Sequence, residues 1–258
     1  AAIAVVNDQL YKESAERSRI EQELNVAYTI QASLIPDGAP EIPGCSVASY
    51  WQAARQVSGD FYDFMELADG RWAIAIADVA DKGFPAALFM ALSRTILRTI
   101  AFNRREPARV LERSNQLIYR DTSSDLFVTV FYAIWDPSSQ ILSYSSGGHN
   151  PPVLVNRKGK VSLLSTDGIA LGVLEDVTIG QKQVKLAQGD TVVFYTDGIS
   201  EAMNEDYDEF GLERLCTVIK DARRETAAEI VETITRAIDD HSGETAQFDD
   251  ITMVVLKR

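Results

Sequence analysis

The pattern of apolar and polar positions predicts one long helix followed by a domain rich in strands. No proline or glycine interrupts residues 1–34, and apolar residues recur there at intervals of three to four, as on one face of a helix. Glu13, Arg17 and Gln31 lie on the same stripe and interrupt it. Three prolines and a glycine within residues 35–43 end the helix.

The interrupted stripe leaves two interpretations of the helix open. Residues 20–34 either pack on the surface of their own domain or pair with a second copy as an imperfect coiled coil. Residues 1–16 are expected to be a linker from an upstream domain. We therefore divide the chain into a signalling or linker helix, residues 1–34, and one domain, residues 35–258.

After residue 45 the pattern changes to strands, with two pairs of helices between them. Because strands come in consecutive runs, a doubly wound parallel sheet is disfavoured, and the prediction is an α+β fold of two mainly antiparallel sheets flanked by helices. Asp69 and Gly70 predict a tight turn without chemistry. The predicted strands are 46–53, 61–67, 72–80, 127–135, 140–145, 152–156, 161–164, 177–184, 191–196 and 251–256. The predicted helices are 84–102, 107–119, 211–221 and 226–240.

Composition narrows the possible functions. The net charge of −13, from 38 acidic and 25 basic residues, disfavours binding to nucleic acid or to anionic membranes. No apolar run approaches the about 20 residues of a membrane-spanning helix. Two cysteines far apart in the sequence indicate a reducing, cytoplasmic location. Two histidines are too few for a histidine-based zinc site, so a metal site would consist of aspartates and favour magnesium or manganese.

Aspartates stand at the ends of four predicted strands. If these ends meet, the carboxylates repel one another, and a divalent cation removes that penalty. Taken singly, each aspartate is most simply a turn residue or a helix cap, and carboxylate pairs also serve glycosidases. The aspartates concerned are Asp60, Asp63, Asp78, Asp81, Asp197, Asp249 and Asp250.

Other phosphoester chemistries lack their motifs. A cysteine phosphatase needs arginine six residues after its cysteine, but Trp51 and Ala222 stand there. No P-loop occurs, and no Asp-x-Asp ends an early strand. His149 is expected to be a turn residue that bonds backbone near the cleft, although a catalytic role is the alternative. His241 is expected to be solvated, and the three tryptophans to be core residues.

Six short stretches resemble, in their order along the chain, the SpoIIE-type branch of the metal-dependent protein phosphatases, which are related to protein phosphatase 2C. Each stretch alone is weakly specific, but six in order are very specific. The resemblance covers about residue 30 to the C-terminus and implies an αββα sandwich with two metal ions at one edge. The stretches are Ile30–Pro36, Gly59–Asp63, Ala77–Gly83, Gly147–Pro152, Tyr195–Ile199 and Asp249–Thr252.

The resemblance also implies a catalytic ligand set. Asp78 matches the aspartate that bridges both ions, with the carbonyl of Val79 beside it. Asp60 completes the ligand set of one ion, and Asp197 and Asp249 complete the ligand set of the other. The residues expected to support these ligands without binding metal are Asp250, Gly198 and His149.

Two departures from the family pattern stand close to these ligands. Ser58 replaces a glycine before Gly59, and Ala80 and Asp81 replace a Ser-Gly pair. Neither removes a ligand, but Asp81 adds charge beside the cleft. His149 aligns with a segment that in some relatives supplies an aspartate to a third ion, which puts a third metal site here in doubt.

The implied function is hydrolysis of phosphoserine or phosphothreonine by a water that two Mn²⁺ or Mg²⁺ ions bridge, with no phosphoenzyme. The implied substrate is an anti-sigma-factor antagonist of the STAS fold. The helix would join an upstream GAF or PAS sensor and form a homodimer. Two alternatives remain: a non-catalytic scaffold that binds a regulatory partner, and a metal-dependent hydrolase of another phosphoester.

Overall fold

Two five-stranded antiparallel sheets pack face to face, and helices cover both outer faces. The computed structural model describes residues 2–103, 106–121 and 126–258. The sheet orders are β1-β10-β9-β6-β7 and β2-β3-β4-β5-β8. The strands are β1 Ser46–Gln52, β2 Phe61–Glu66, β3 Trp72–Val79, β4 Val128–Asp136, β5 Ile141–Gly147, β6 Val153–Val155, β7 Val161–Leu163, β8 Lys182–Lys185, β9 Thr191–Tyr195 and β10 Ile251–Lys257. The helices are α1 Ala2–Leu34, α2 Phe84–Ala101, α3 Pro107–Asp121, α4 Asp197–Ser200, α5 Leu212–Asp221 and α6 Ala227–Ser242.

The layers follow the order helix, sheet, sheet, helix, so the predicted αββα sandwich is confirmed. Helices α2 and α3 pack on the sheet that contains β2, and α5 and α6 pack on the sheet that contains β1. Between the sheets, Phe131 of β4 meets Phe194 of β9 edge to face, with ring centroids 5.8 Å apart. Both rings are fully buried, so they belong to the core that joins the two sheets.

Most predicted elements agree with the structure to within about two residues, but the predicted strand 177–184 is wrong over its first half. β8 begins at Lys182. The Ile179 N–H donates to the Glu112 carboxylate of α3 at 3.2 Å, and the Gly180 N–H donates to the Asp167 carbonyl at 2.7 Å. Amides engaged in this way cannot join a strand ladder. The helix α4 was not predicted, because four residues are too few to show a helical period.

The predictions for aromatic and histidine residues hold in part. Trp135 is fully buried, whereas Trp51 and Trp72 are half-buried and pack at the margin of the core. His241 is not simply solvated, which corrects the prediction. Its ring packs edge to face on Phe210 and bonds the Asp208 carbonyl at 3.0 Å. It therefore fastens the end of α6 to the loop before α5.

Helix α2 is long and apolar enough to match a membrane span by length and composition alone. In the structure eight of its 18 residues are buried, and the helix packs on β2, β3 and α3. Two ion pairs with the buried Asp63 fix it there, since the carboxylate lies 2.6 Å from Arg98 Nη1 and 3.1 Å from Arg94 Nη2. Asp63 therefore anchors a core helix and does not join the other strand-end aspartates.

The C-terminal part of α1 packs on its own domain. It lies along α2, and the two helices line a groove of about 540 Å³. The groove contains residues of the predicted stripe, Ile20, Leu24 and Ala27, and faces Phe84 and Leu88 of α2. Leu24 and Ala27 of the stripe are half-buried against the domain, as one of the two interpretations expected for residues 20–34, whereas Ile20 is exposed.

Gln31 does not interrupt this face as an exposed polar residue. Its side chain is 4% exposed. The amide donates to the Ser58 carbonyl at 2.6 Å and accepts from the Ser58 N–H at 2.9 Å. A paired hydrogen bond of this kind fixes α1 against the loop that precedes β2.

Replacing Gln31 by alanine leaves both backbone groups of Ser58 buried without partners. We expect the free energy of unfolding to fall by about 2–3 kcal/mol, because a buried polar group left unsatisfied costs about 1–3 kcal/mol. Equilibrium urea unfolding measures the change. Ser33→Ala, at an exposed position of the same helix, is the control and should cost less than about 0.5 kcal/mol. Equal losses in the two variants would contradict an anchoring role for Gln31.

Candidate active site

Four of the predicted aspartates gather at one edge of the sandwich. Asp60 precedes β2 and Asp78 lies near the end of β3, and these two ends are neighbours because Phe61 pairs with Ala77. Asp197 follows β9 and Asp249 precedes β10 at the corresponding edge of the other sheet. Antiparallel pairing thus brings residues that are far apart in sequence to the junction between the sheets.

Asp60 is the most deeply buried of the four, at 2% exposure. Its Oδ2 accepts hydrogen bonds from the Thr196 hydroxyl at 2.6 Å and the Thr252 hydroxyl at 2.7 Å. Burial, reinforced by the charges of Asp78 and Asp250, raises the pKa of Asp60 well above its usual range. The two threonines belong to the opposite sheet. Their hydroxyl groups stabilise the charged form of Asp60, whose burial would otherwise be unfavourable.

Asp78 lies close to Asp60, since each carboxylate influences the pKa of the other. Burial and then the charge of Asp197 raise the pKa of Asp78 to about 7. The carbonyl of Val79 lies close by, because a Cβ added at Gly59 would be 3.2 Å from it. The bridging aspartate and the carbonyl implied by the resemblance are therefore neighbours of Asp60.

Asp197 and Asp249 form the second half of the cluster. Burial and then the charge of Asp249 raise the pKa of Asp197. Asp249 is the member that pairs with a base, since its Oδ2 lies 2.8 Å from Lys82 Nζ. Gly198 permits the close approach of α4, because a Cβ there would be 2.0 Å from the Asp250 carbonyl oxygen.

Asp250 has its carboxylate engaged with the loop before β2. Oδ1 accepts the Ala54 N–H at 2.7 Å, and Oδ2 accepts the Ser58 hydroxyl at 2.7 Å and the Gly59 N–H at 2.8 Å. Three of the about four acceptor positions of this carboxylate are thus used by the loop. Asp250 therefore shapes the loop that carries Asp60, which fits a supporting role better than a ligand role.

The departure at Ser58 has a structural function. Its hydroxyl donates to Asp250 and accepts the Asp60 N–H at 3.0 Å. The serine thus adds a contact that glycine could not supply at this position. The departure at Asp81 puts an exposed aspartate in the left-handed region, with φ 83°, a conformation that glycine adopts freely and aspartate tolerates.

His149 lies behind Asp78, as a buried and neutral imidazole. Burial lowers the pKa of His149 to about 4. Its Nδ1 lies 2.8 Å from the Thr129 hydroxyl, which donates to the Asp78 carbonyl at 3.3 Å. The ring therefore contacts the Thr129 side chain, which bonds the strand that carries Asp78, and a hydrogen bond with the Tyr195 backbone opposes the lowering of the His149 pKa.

The chemistry of these donors fits divalent metal ions that prefer oxygen. Within residues 2–103, 106–121 and 126–258, no three acidic, histidine or cysteine side chains already converge on one point. The donors are four carboxylates and a backbone carbonyl, and burial raises the pKa values of Asp60, Asp78 and Asp197. Lys82 is the one ion-pair partner of these aspartates among the described residues. A hard cation would remove the repulsion between them.

Sequence reasoning missed several residues that organise the site. Thr196 and Thr252 stand inside the matched stretches, but a threonine in a strand carries no signal of its own. Lys82 was noted only as part of the family pattern. A search for donors within three residues of each candidate ligand would have selected both threonines, since Thr196 precedes Asp197 and Thr252 lies three residues after Asp249.

Comparison with known proteins agrees with this geometry. The chain is 29% identical to phosphoserine phosphatase RsbU of Bacillus subtilis, over 94% of this chain and 72% of that protein. It is 29% identical to protein IcfG of Synechocystis, over 92% of this chain but only 41% of that protein. Among solved structures, the SiaA-PP2C domain of Pseudomonas aeruginosa matches with a TM-score of 0.85 and 25% identity, over 95% of this chain and 99% of that one.

The family model for stage II sporulation protein E (SpoIIE) matches residues 68–258. The match includes four of the six stretches and three of the four clustered aspartates, and the alignments with the relatives extend over the earlier part of the chain. The chain therefore belongs to the SpoIIE family, a branch of the PP2C-like, metal-dependent protein serine/threonine phosphatases.

Proposed function

We propose that this chain hydrolyses phosphoserine or phosphothreonine in a protein substrate, with two Mn²⁺ or Mg²⁺ ions. Asp60, Asp78 and the Val79 carbonyl would hold one ion, and Asp78, Asp197 and Asp249 the other. The observation that carries the proposal is the carboxylate cluster around Asp78, in which burial and neighbouring carboxylates raise the pKa values of Asp60, Asp78 and Asp197. Burying such charges is unfavourable unless a cation joins them.

When bound, these ions lower the pKa of a water molecule and neutralise charge on the phosphoryl group. The chain supplies positioning. Thr196 and Thr252 hold Asp60, and Asp250 holds the loop that carries it. Among the described residues beside the cluster, the Ser58 hydroxyl and the His149 ring are both buried, which supports a mechanism without a phosphoenzyme.

The proposed substrate is a phosphorylated anti-sigma-factor antagonist of the STAS fold. The similarity to phosphoserine phosphatase RsbU supports a phosphoserine-bearing protein substrate. The chain spans 41% of IcfG, which leaves room in such relatives for further domains. We propose that a GAF or PAS sensor precedes α1, that residues 35–258 are the phosphatase domain, and that the protein acts in the cytoplasm.

We also propose that α1 joins two copies of the chain. Its described part carries exposed apolar side chains, Ile20 at 51%, Val26 and Ile30 at 61%, and Leu88 of α2 beside them is 58% exposed. Exposed apolar side chains along neighbouring helices are typical of an interface. Because Gln31 bonds Ser58, a shift of α1 would reach the loop that carries Asp60.

Replacing Asp78 by asparagine should abolish phosphate release from a phosphoprotein. Asp78 would contact both ions, so its loss weakens both sites, and a metal-centred contribution of several kcal/mol corresponds to a rate loss of about a thousandfold or more. Phosphate release is measured at saturating Mn²⁺. Asp176→Asn, at an exposed position away from the cluster, is the matched control. Activity of Asp78→Asn within about tenfold of the unmodified chain would refute the assignment.

Removal of divalent metal should silence the enzyme reversibly. EDTA treatment followed by dialysis is expected to stop hydrolysis, and excess Mn²⁺ should restore it without zinc, because the donors are all oxygen atoms. The same samples should be assayed on a phosphoprotein and on small phosphoesters. A preference for small phosphoesters would favour a different hydrolase, and binding of a phosphoprotein without hydrolysis would favour a scaffold. Hydrolysis that survives exhaustive chelation would exclude the metal mechanism.

Changes in α1 should alter oligomeric state and activity together. Leu24→Glu introduces a charge on the face that meets α2, and it should lower activity or change the molecular mass. Arg17→Leu replaces an exposed, salt-bridged residue of the stripe by an apolar one, and it should tighten pairing. Analytical ultracentrifugation and phosphatase rates are measured on the same samples. If both variants equal the unmodified chain in mass and rate, α1 is a passive linker.

A further inference from the structure

Lys82 reaches across the cleft from the loop after β3 to the segment before β10. Its Nζ lies 2.8 Å from Asp249 Oδ2 and 3.1 Å from the Phe248 carbonyl, to which it donates. The ammonium also lies 4.0 Å from the centroid of the Phe248 ring. Three contacts from one segment hold a side chain that is 29% exposed, so its charge is fixed at the mouth of the cluster.

The backbone around Lys82 is shaped to deliver it there. Asp81 has φ 83° and Gly83 has φ 87°, so both neighbours of Lys82 are in the left-handed region. The Asp81 carboxylate accepts the Lys82 N–H at 2.8 Å and so stabilises this conformation. A non-glycine residue in the left-handed region is unfavourable and persists where the surrounding structure demands it. Helix α2 begins directly after this turn.

Lys82 is also the basic side chain that acts on the whole second half of the cluster. Its charge opposes the rise in the pKa of Asp197 and, further out, of Glu201. Among the described residues, its ion pair with Asp249 is the one that any of the four clustered aspartates makes. A metal ion that binds Asp249 would weaken this ion pair, because the ion and the ammonium share the negative charge of one carboxylate and repel each other.

We propose that Lys82 is a phosphate-binding residue of the active site, which rests on Asp249 and turns to the phosphoryl oxygens of the substrate once a metal ion has taken that carboxylate. The inference rests on the proposed function. A lysine ammonium is a compact cation with three donors and binds phosphate as a point charge. Asp249 holds the Lys82 ammonium beside the aspartates that would bind the metal ions. The ammonium would therefore need only a short movement to pass from Asp249 to the substrate phosphate.

Removal of the Lys82 charge should therefore change the affinity for metal and the affinity for phosphate in opposite directions. Without substrate, Lys82 competes with the metal ion for Asp249, so removing its charge should tighten metal binding. With the metal ions in place, Lys82 adds a favourable contact to phosphate, so removing its charge should weaken phosphate binding. If Lys82 only held the two loops together, its removal would loosen the site. The affinity for the metal ion and the affinity for phosphate would then both fall.

The test compares the variants Lys82→Met and Lys82→Arg with the unmodified chain, each as residues 1–258. Lys185→Met, at an exposed position of the edge strand β8, is the control. Calorimetric titration with Mn²⁺ alone should show metal binding about threefold or more tighter in Lys82→Met. Titration of the Mn²⁺-loaded proteins with inorganic phosphate should show binding about tenfold weaker. On phosphoprotein, KM should rise more than kcat falls, and Lys82→Arg should restore most of the phosphate affinity.

The outcomes separate this inference from the proposed function. If Lys82→Met loses affinity for both Mn²⁺ and phosphate and melts earlier without metal, Lys82 is a structural latch and the inference is wrong. If neither affinity moves, the inference is also wrong. Should the unmodified chain bind no Mn²⁺ at all, the proposed function fails and the inference fails with it. Lys82→Arg keeps the charge and guards against a folding defect in the methionine variant.

Discussion

Mutual repulsion among buried carboxylates is the constraint around which this structure is arranged. Asp60 is buried, Asp78 beside it is half-buried, and Asp197 adds its charge across the junction of the sheets. Each would be more favourable in solvent. The surrounding structure compensates with hydrogen bonds from Thr196 and Thr252 in the opposite sheet. The sandwich therefore has to be closed before the cluster exists, since neither sheet holds it alone.

The loop before β2 links this cluster to the N-terminal helix. Gln31 bonds both backbone groups of Ser58, the Ser58 hydroxyl bonds Asp250, and the Ser58 oxygen also accepts the Asp60 N–H. Each contact is buried, and each leaves an unsatisfied group if it is broken. A displacement of α1 therefore cannot be absorbed locally. It must move the backbone from which Asp60 projects, or lose hydrogen bonds.

The sequence predicted the parts of this arrangement that depend on pattern, and it failed where tertiary contacts decide. Alternation and turn residues located most strands, and the six stretches selected the clustered aspartates. The segment before β8 was assigned to a strand because its residues suit one, yet Ile179 is bonded to α3. Asp63 stood in a matched stretch but faces two arginines of α2, which no spacing along β2 reveals. His241 was assigned to solvent because its partner, Phe210, lies far away in sequence.

The distribution of charge also bears on whether this site serves catalysis or only binding. A scaffold that binds a partner through its surface gains nothing from burying Asp60 or from a carboxyl pKa of about 7 at Asp78. Replacing such residues by neutral ones would remove the repulsion and stabilise the fold. The two departures at Ser58 and Asp81 alter the backbone around the cluster without relieving that repulsion. A chain that keeps the unfavourable charges and adds hydrogen bonds to hold them is organised to bind cations at this edge.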